Sequence, residues 1–311
     1  MMNGLNFMTF NVRGLTPNKY SAMMKLLEDH RIDIALIQET HLKGNTDEHN
    51  FTELLDRNTQ AEWKTFWHND RQHGRARGTA IWIRTHRQGR APIHLHPSTV
   101  TRKGMGRMIR LSLDWSGHKL RIGNVYMPTT STSNHWTIST ALINHIKKDT
   151  QRTQGIIYAG DWNFVEDQTL DTTSTKRINN KQEQYLIRYW KETVGNSITE
   201  CQQETLRQKH MYTQHHGTME GTIHSRLDRF YASSDMTRYI TQPIKTIEIH
   251  SYGIVSDHKP VIMSIIGKLP HKDAAPVQKE YMKRIKTAAK CHPPTMDEAK
   301  KSFENFLSSF Q

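Results

Sequence analysis

An aspartate and an asparagine stand two residues apart at the end of a short apolar run in the middle of the sequence. The run Ile156–Ala159 stops at Gly160 and is followed by Asp161 and Asn163. An apolar run bounded by turn-prone residues predicts a buried β-strand. If the strand continues through Asn163, both side chains share one face, and a carboxylate base lies beside a neutral amide donor. An ordinary Asp/Asn turn after a core strand explains the same residues equally well.

Other polar residues with catalytic or metal-binding chemistry also lie at the ends of predicted strands or in adjoining loops. The strands Leu5–Asn11, Ile32–Gln38, Leu120–Tyr126 and Val261–Ile266 position most of them, and Asp228 is predicted in the second strand of a hairpin whose tip includes His215–Gly221. The set is Asn11, Glu39, Tyr126, Asp161, Asn163, Asp228, Asp257 and His258. Ligands and catalytic groups gather at such ends when strands lie side by side.

A single glutamate in this set can hold a hard cation. Mg²⁺ needs only one or two protein carboxylates when substrate phosphate and water complete its coordination. Glu39, directly after an apolar strand, meets that requirement, although a surface turn acid is the ordinary alternative. His94 and His96 form a second candidate metal pair on a strand, but exposed edge-strand histidines are common and no third ligand is near them in sequence.

Composition favours a folded protein in a reducing compartment with a polyanionic partner. The chain has 311 residues and a net charge of +13 at pH 7. It has no apolar run of the roughly 18 residues that a membrane span needs, and its N-terminus lacks the pattern of a secretory signal. Cys201 and Cys291 lie far apart without metal-ligand spacing, so we interpret both as unreactive thiols.

Positive charge is concentrated in one stretch, from Arg71 to Arg110. This stretch contains no Asp or Glu and ten basic residues: Arg71, Arg75, Arg77, Arg84, Arg87, Arg90, Arg102, Lys103, Arg107 and Arg110. A charge run is usually a solvated face, but such a one-sided run also suits a phosphate backbone. We therefore interpret this basic block as part of a nucleic-acid surface.

Six motifs, taken together, give the chain a family resemblance. They are Asn11-Val12-Arg13-Gly14, Gln38-Glu39-Thr40-His41-Leu42, Tyr126-Met127-Pro128, Gly160-Asp161-Trp162-Asn163, Ser225-Arg226-Leu227-Asp228-Arg229-Phe230 and Ser256-Asp257-His258. Their order and spacing over about residues 4–267 resemble the endonuclease/exonuclease/phosphatase superfamily. The second and fifth motifs resemble, more narrowly, the apurinic-type endonuclease domain of LINE-like (non-LTR) retrotransposon proteins. The resemblance implies an α/β fold, a four-layer αββα sandwich of two packed mixed sheets flanked by helices.

The resemblance also implies a role for each candidate residue. Glu39 would bind Mg²⁺, for which Mn²⁺ is a substitute, with Asn11 and Asp257 completing the metal site. Asp161 would activate the attacking water, and Asn163, Tyr126 and a His258 held by Asp228 would contact the phosphate. We also assign double-stranded DNA contacts to four residues: Thr213, Ser225, Arg13 and Arg77.

The predicted activity is therefore a Mg²⁺-dependent DNA endonuclease that nicks one strand and leaves a 3′ hydroxyl, as in target-primed retrotransposition. The alternatives are an abasic-site repair endonuclease and a catalytically silent nucleic-acid binding module; a lipid or sugar phosphatase gives no reason for the basic block. We expect a monomeric catalytic domain over residues 1–267 that acts in the nucleus. Residues 268–311 are predicted as a basic linker and an amphipathic helix, at the position where relatives continue toward a reverse transcriptase.

Overall fold

The structure is a computed structural model of the chain, and it describes most residues up to Ile266. The described ranges are 4–58, 63–70, 77–85, 93–115, 118–151, 155–174, 181–201, 211–218, 221–240 and 243–266. Residues 268–311 lie outside them, so the linker and helix predicted there stay a prediction. No helix among the described residues is long and apolar enough to cross a membrane.

Two six-stranded mixed sheets form the centre of the fold. The first consists of β1 (Gly4–Asn11), β2 (Ile34–Gln38), β3 (Trp63–His68), β4 (Thr79–Arg84), β13 (Lys245–Thr246) and β14 (Val261–Ile266), in the order β13-β14-β1-β2-β4-β3. The second consists of β5 (Ile93–Lys103), β6 (Met108–Trp115), β7 (His118–Tyr126), β8 (Ile156–Asp161), β9 (Ile198–Glu200) and β12 (Asp228–Ser233), in the order β5-β6-β7-β8-β12-β9. The strands β10 (Gln214–Thr218) and β11 (Gly221–Ser225) form a separate hairpin.

Helices cover the outer face of each sheet. The helices are α1 (Pro17–Asp29), α2 (Asn45–Asn58), α3 (His135–Thr150), α4 (Lys181–Thr193) and the short α5 (Ser234–Thr237), with a 3₁₀ turn at His250–Tyr252. Met23, Leu26 and Leu27 of α1 pack on one sheet in one apolar cluster, while Leu142 of α3 and Trp190 of α4 pack on the other sheet in a second cluster. The predicted four-layer αββα sandwich is confirmed.

A buried polar contact fixes the two sheets relative to each other. Gln38, on β2, donates from Nε2 to Oδ1 of Asn124, on β7, at 2.6 Å. The Asn124 amide in turn donates to the backbone oxygens of Ile37 and Ala80, each at 2.8 Å. Gln38 and Asn124 are fully buried, and their amide groups are paired in these contacts except for Gln38 Oε1, which has no partner among the described residues. This contact therefore holds the carboxyl ends of β2 and β7 together.

One predicted strand assignment is wrong. Asp228 does not lie in the second strand of the hairpin, because that strand, β11, ends at Ser225. Asp228 instead begins β12, where it is the direct antiparallel partner of Asp161 on β8. The two-residue interruption at Arg226 and Leu227 moves the chain from the hairpin to the second sheet, and neither the length nor the composition of the motif reveals that break.

Candidate active site

The ends of four strands from both sheets meet at one point. The strands β1 and β2 are parallel neighbours in the first sheet, as are β7 and β8 in the second. Asn11 closes β1 and bridges the two sheets: its Nδ2 donates to Glu39 Oε1 at 2.8 Å and to Asp161 Oδ2 at 2.9 Å. A single amide thus joins the proposed metal-binding glutamate to the proposed base.

Glu39 is held as a carboxylate. It follows β2 in a left-handed conformation with φ of 52°. Burial raises the pKa of its carboxyl group, but hydrogen bonds from His41, Asn11 and Tyr126 outweigh burial and lower that pKa to about 2. The contact with His41 Nε2 is 3.1 Å long. A group held ionised in this way is suited to bind a divalent cation.

Tyr126 is held between Glu39 and a buried arginine. Its pKa is raised above the ordinary value by burial, by the nearby Glu39 and Asp161 carboxylates and by a hydrogen bond to Glu39, so the phenol keeps its proton. The guanidinium of Arg107 lies 5.0 Å from the centre of the Tyr126 ring. Arg107 itself is only 3% exposed. Tyr126 is therefore a neutral hydrogen-bond donor in a fixed position.

Asp161 and Asn163 are neighbours, but a turn brings them together. The strand β8 ends at Asp161, so it does not continue through Asn163, which is left-handed with φ of 49°. The Asn163 backbone N–H donates to Asp161 Oδ1 at 3.0 Å, and its side chain donates to Met127 O at 2.8 Å and to Asp161 Oδ2 at 3.3 Å. The expected acid and amide pair is present with a different backbone geometry.

Asp228 and His258 form the opposite wall of the site. His258 Nδ1 donates to Asp228 Oδ2 at 2.8 Å, which leaves Nε2 facing Asp161 Oδ2 at 3.9 Å. Burial lowers the pKa of His258, but the carboxylates of Asp228 and Asp161 outweigh burial and raise the pKa to about 10. Burial raises the pKa of Asp161, and the charge of His258 opposes that rise. At neutral pH the imidazole is therefore positively charged and suited to contact a phosphate.

Asp257 is engaged with side chains rather than with the other predicted metal ligands. Its Oδ2 lies 2.9 Å from Arg13 Nη1 and accepts from Gln214 Nε2 at 3.2 Å. Its Oδ1 is buried and has no hydrogen-bond partner among the described residues. Arg13 is 57% exposed at its side chain, so it is accessible to a bound phosphate backbone.

The site offers oxygen atoms for a metal ion. Glu39 is ionised and Asn11 adjoins it, and buried carboxylate oxygens of Asp257 and Asp228 lack hydrogen-bond partners among the described residues. Asp161, Asp228 and His258 also bring one ligand atom each to within 4.8 Å of one another. The carboxylate oxygens among these atoms suit a hard divalent cation, whereas the charged His258 offers it no lone pair. The residues present therefore fit the predicted metal.

Two of the residues assigned to DNA contacts have internal partners. Thr213 is 2% exposed, and its Oγ1 accepts from the backbone N–H groups of Leu227 and Asp228, both at 3.0 Å. Ser225 is 8% exposed and its hydroxyl pairs with that of Thr172 at 3.0 Å. Both hydroxyls are therefore already paired within the fold, and their contact with DNA stays a prediction. Thr213 fixes the start of β12 and so positions Asp228.

Three of the six described basic residues of the basic block pair with acids that lie outside it. Arg77 Nη1 lies 2.7 Å from Asp70 Oδ2, and Arg110 Nη1 lies 2.5 Å from Asp149 Oδ2. Arg84, only 5% exposed at its side chain, pairs with Glu28. These three arginines therefore have partners within the fold, whereas the nucleic-acid surface as a whole and the DNA contact of Arg77 stay predictions. Arg71, Arg75, Arg87 and Arg90 lie outside the described residues.

The histidine pair on β5 is not assembled as a metal site. His96 Nε2 lies 2.7 Å from Asp114 Oδ2 on β6, an ordinary cross-strand pair. The strand continues past Pro97 to Lys103. Neither His94 nor His96 belongs to a cluster of three or more candidate ligands among the described residues.

Sequence reasoning missed three residues at the site. His41 donates to Glu39, Arg107 lies over Tyr126, and Lys19 Nζ donates to the backbone oxygens of Val12 and Arg13 at 2.8 and 3.1 Å. His41 stands inside one of the six motifs, so its position two residues after Glu39 was a usable signal. Arg107 and Lys19 stand outside the six motifs, so the motifs gave no signal for either residue.

Comparison with known proteins agrees with this geometry. A search of curated proteins gives no match. Among solved structures, the chain is similar to the AP endonuclease LMAP from Leishmania major, with 19% identity, a TM-score of 0.66 and coverage of 86% of this chain and 89% of that one. It is also similar to the 3′ phosphatase NExo from Neisseria, with 19% identity, a TM-score of 0.61 and coverage of 84% and 99%.

A third similar structure is the endonuclease domain of TRAS1, a telomere-specific non-LTR retrotransposon, with 13% identity, a TM-score of 0.54 and coverage of 84% and 98%. At these identities the likeness concerns the fold. The sequence itself matches the Endonuclease/Exonuclease/phosphatase family over residues 8–258, a span that includes the cleft from Asn11 to His258. The chain therefore belongs to the Endonuclease/Exonuclease/phosphatase family.

Proposed function

We propose that the chain is a divalent-metal-dependent DNA endonuclease that nicks one strand and leaves a 3′ hydroxyl. The observation that carries the proposal is the Asn11 amide, which joins Glu39 to Asp161 opposite the Asp228–His258 pair. Hydrolysis of a phosphodiester needs an oriented water, a proton acceptor and positive charge at the phosphoryl oxygens. Each requirement has a side chain in this cleft.

In the proposed reaction, Asp161 accepts the proton that the attacking water loses while Asn163 orients the water or phosphate. The water oxygen forms a bond to phosphorus as the bond from phosphorus to the 3′ oxygen breaks, and that oxygen takes up a proton from solvent. His258, charged and held by Asp228, donates to a phosphoryl oxygen, and the Tyr126 hydroxyl does so when it exchanges its hydrogen bond to Glu39 for one to the substrate. The products are a 3′ hydroxyl and a 5′ phosphate.

The metal proposed for the site is Mg²⁺, with Mn²⁺ as a substitute. Glu39 would bind it, with Asp257 as a neighbouring oxygen donor and Asn11 beside it; the Asn11 Nδ2 faces Glu39 and its Oδ1 accepts from the Arg13 backbone N–H at 3.1 Å. When bound, the ion supplies positive charge that stabilises the phosphoryl oxygens and the leaving oxygen. Asp257 would take part through Oδ1, which has no hydrogen-bond partner among the described residues, while its Oδ2 remains beside Arg13.

The wider role proposed is target nicking for a non-LTR retrotransposon, in the nucleus and with a reverse transcriptase region as partner. The similarity in fold to the TRAS1 endonuclease domain supports this role, and we propose that the domain acts as a monomer. An abasic-site endonuclease is the second candidate, favoured by the similarity to the Leishmania AP endonuclease. A silent binding module is disfavoured because no proposed catalytic position holds an inert residue.

The test is incubation of supercoiled plasmid with the protein in Mg²⁺ or in excess chelator. We expect nicked circles only with the metal, and extension of the nicks by a DNA polymerase without prior end repair. Cleavage confined to a duplex with one abasic site would favour the repair enzyme. Binding without cleavage in Mg²⁺ or Mn²⁺ would refute the proposal.

A further inference from the structure

The β10–β11 hairpin carries two histidines directly opposite each other. His215 and His224 are partners in the antiparallel ladder, and such partners lie on the same face of a strand pair. Their ring centroids are 4.6 Å apart with the planes at 78°, and the Nδ1 atoms of the two rings are in contact. Both residues are half-buried, so their rings remain accessible to solvent.

The backbone beneath this pair is anchored on both strands. The His215 N–H donates to Asp257 O at 2.8 Å. On the other strand, the His224 N–H donates to Thr173 Oγ1 at 2.9 Å. The Tyr212 ring stacks on the His224 ring with centroids 5.9 Å apart. The rings are already held close together. A ligand that binds both of them therefore immobilises few additional side chains, and the entropy cost of binding is small.

The chemistry of the pair favours a transition-metal ion. Neutral imidazole nitrogen suits Zn²⁺, Ni²⁺ and Cu²⁺, whereas Mg²⁺ takes oxygen ligands. The Nε2 atom of His215 is buried without a hydrogen-bond partner among the described residues. The two Nδ1 atoms hydrogen-bond to each other, so one ring carries its proton there, and a metal ion that binds both Nδ1 atoms displaces that proton. His216, on the next position of β10, is exposed and faces the other side of the hairpin.

We propose that His215 and His224 form a two-histidine site for a Zn²⁺-class divalent transition metal, bound through the Nδ1 atoms and separate from the carboxylate cleft. Two protein ligands leave the remaining coordination positions to solvent. The site requires no contribution from Glu39 or Asp161, so it stands independently of the proposed nuclease activity.

The experiment is calorimetric titration of the whole chain with Zn²⁺ at slightly alkaline pH, where imidazole is neutral, in a large excess of Mg²⁺ to occupy oxygen sites. We expect one Zn²⁺ site that weakens by at least about tenfold, the scale on which metal sites respond to altered ligation, in both His215→Gln and His224→Gln. Titration with Co²⁺ gives a second readout, because nitrogen ligation changes its visible absorption.

Two matched variants separate this site from the rest of the chain. His216→Gln, on the same hairpin, and Asp161→Asn, in the cleft, should both keep the site at full affinity. Thermal melting in Mg²⁺ alone checks that each variant folds, and only variants that melt as the unaltered chain does are compared. Equal Zn²⁺ affinity in the unaltered chain and in both His→Gln variants, or loss of the site in Asp161→Asn, would overturn the proposal.

Discussion

The cleft residues and the basic block are the two clearest patterns in the sequence, and folding affects them in opposite ways. The cleft residues are spread from Asn11 to His258, yet hydrogen bonds of about 3 Å join them. The basic block is continuous in sequence, yet Arg84 and Arg110 pair with distant acids and Arg77 pairs with Asp70 just outside the block. Residues at strand ends are brought together by sheet topology, whereas a run of charge does not specify which side chains stay exposed.

The largest expected effect lies in the cleft, at Asp228. Asp228→Asn removes the carboxylate that raises the pKa of His258 to about 10, so we expect cleavage to fall by about 10³-fold at neutral pH. Because the protonated imidazole is the active form, activity of the unaltered enzyme should persist until the pH rises toward that pKa. In Asp228→Asn, activity should be lost at a lower pH than in the unaltered enzyme.

The shift is measured from the rate of nicking of duplex DNA as a function of pH. Asp114→Asn is a control, because it removes an exposed carboxylate that also pairs with a histidine, His96, away from the cleft. An unchanged alkaline limb in Asp228→Asn would contradict the assigned pairing.

The second effect lies in the basic block and concerns stability rather than DNA. Arg110→Met leaves the buried Asp149 without its cation, and we expect the free energy of unfolding to fall by about 3 kcal/mol. Arg110 also donates to His145 O at 2.9 Å and to Thr101 at 2.6 Å. Denaturant unfolding measures the change, with Lys119→Met, an exposed position on β7, as the neutral control. Weaker DNA binding at unchanged stability would restore the interpretation of this arginine as a surface contact.

The third effect tests the metal side of the cleft. Glu39→Gln keeps the shape of the side chain but removes the charge, so cleavage at limiting Mg²⁺ should drop by about 10²-fold. Higher metal concentration should recover part of the loss, and titration of the rate against Mg²⁺ separates metal affinity from the chemical step. An unchanged dependence on Mg²⁺ would exclude Glu39 as a ligand.

The smallest effect is expected at Arg13, the exposed partner of Asp257. Arg13→Gln removes one phosphate contact, so the slope of log affinity against log salt should decrease in magnitude by about 0.9. Fluorescence anisotropy with duplex DNA at several salt concentrations measures the slope. Lys25→Gln, an exposed residue on the outer helix α1, should leave it unchanged. Equal slopes in the two variants would mean that Arg13 stays paired with Asp257.

Apolar patterning predicted individual buried strands such as β2 and β8, which are apolar over nearly their whole length. The family resemblance of the six motifs, rather than this patterning, predicted the two packed sheets and the place of Asn11, Glu39, Tyr126 and Asp161 at one end of them. The left-handed conformations of Glu39 and Asn163 could not be predicted from the sequence, because they depend on tertiary contacts. The internal partners of Thr213 and Arg110 could not be predicted either, since hydrogen bonds between distant elements produce no periodic pattern in the sequence.

The single-turnover rate of plasmid nicking by Asp161→Asn, measured together with its DNA affinity, is the most direct test of the cleft as one catalytic centre. The variant keeps the size of the side chain and its place beside Asn11 but cannot accept a proton from water. We expect the rate to fall by at least about 10³-fold while DNA affinity stays within about threefold. A rate close to that of the unaltered enzyme, with Mg²⁺ present and DNA bound, would contradict the central role of Asp161.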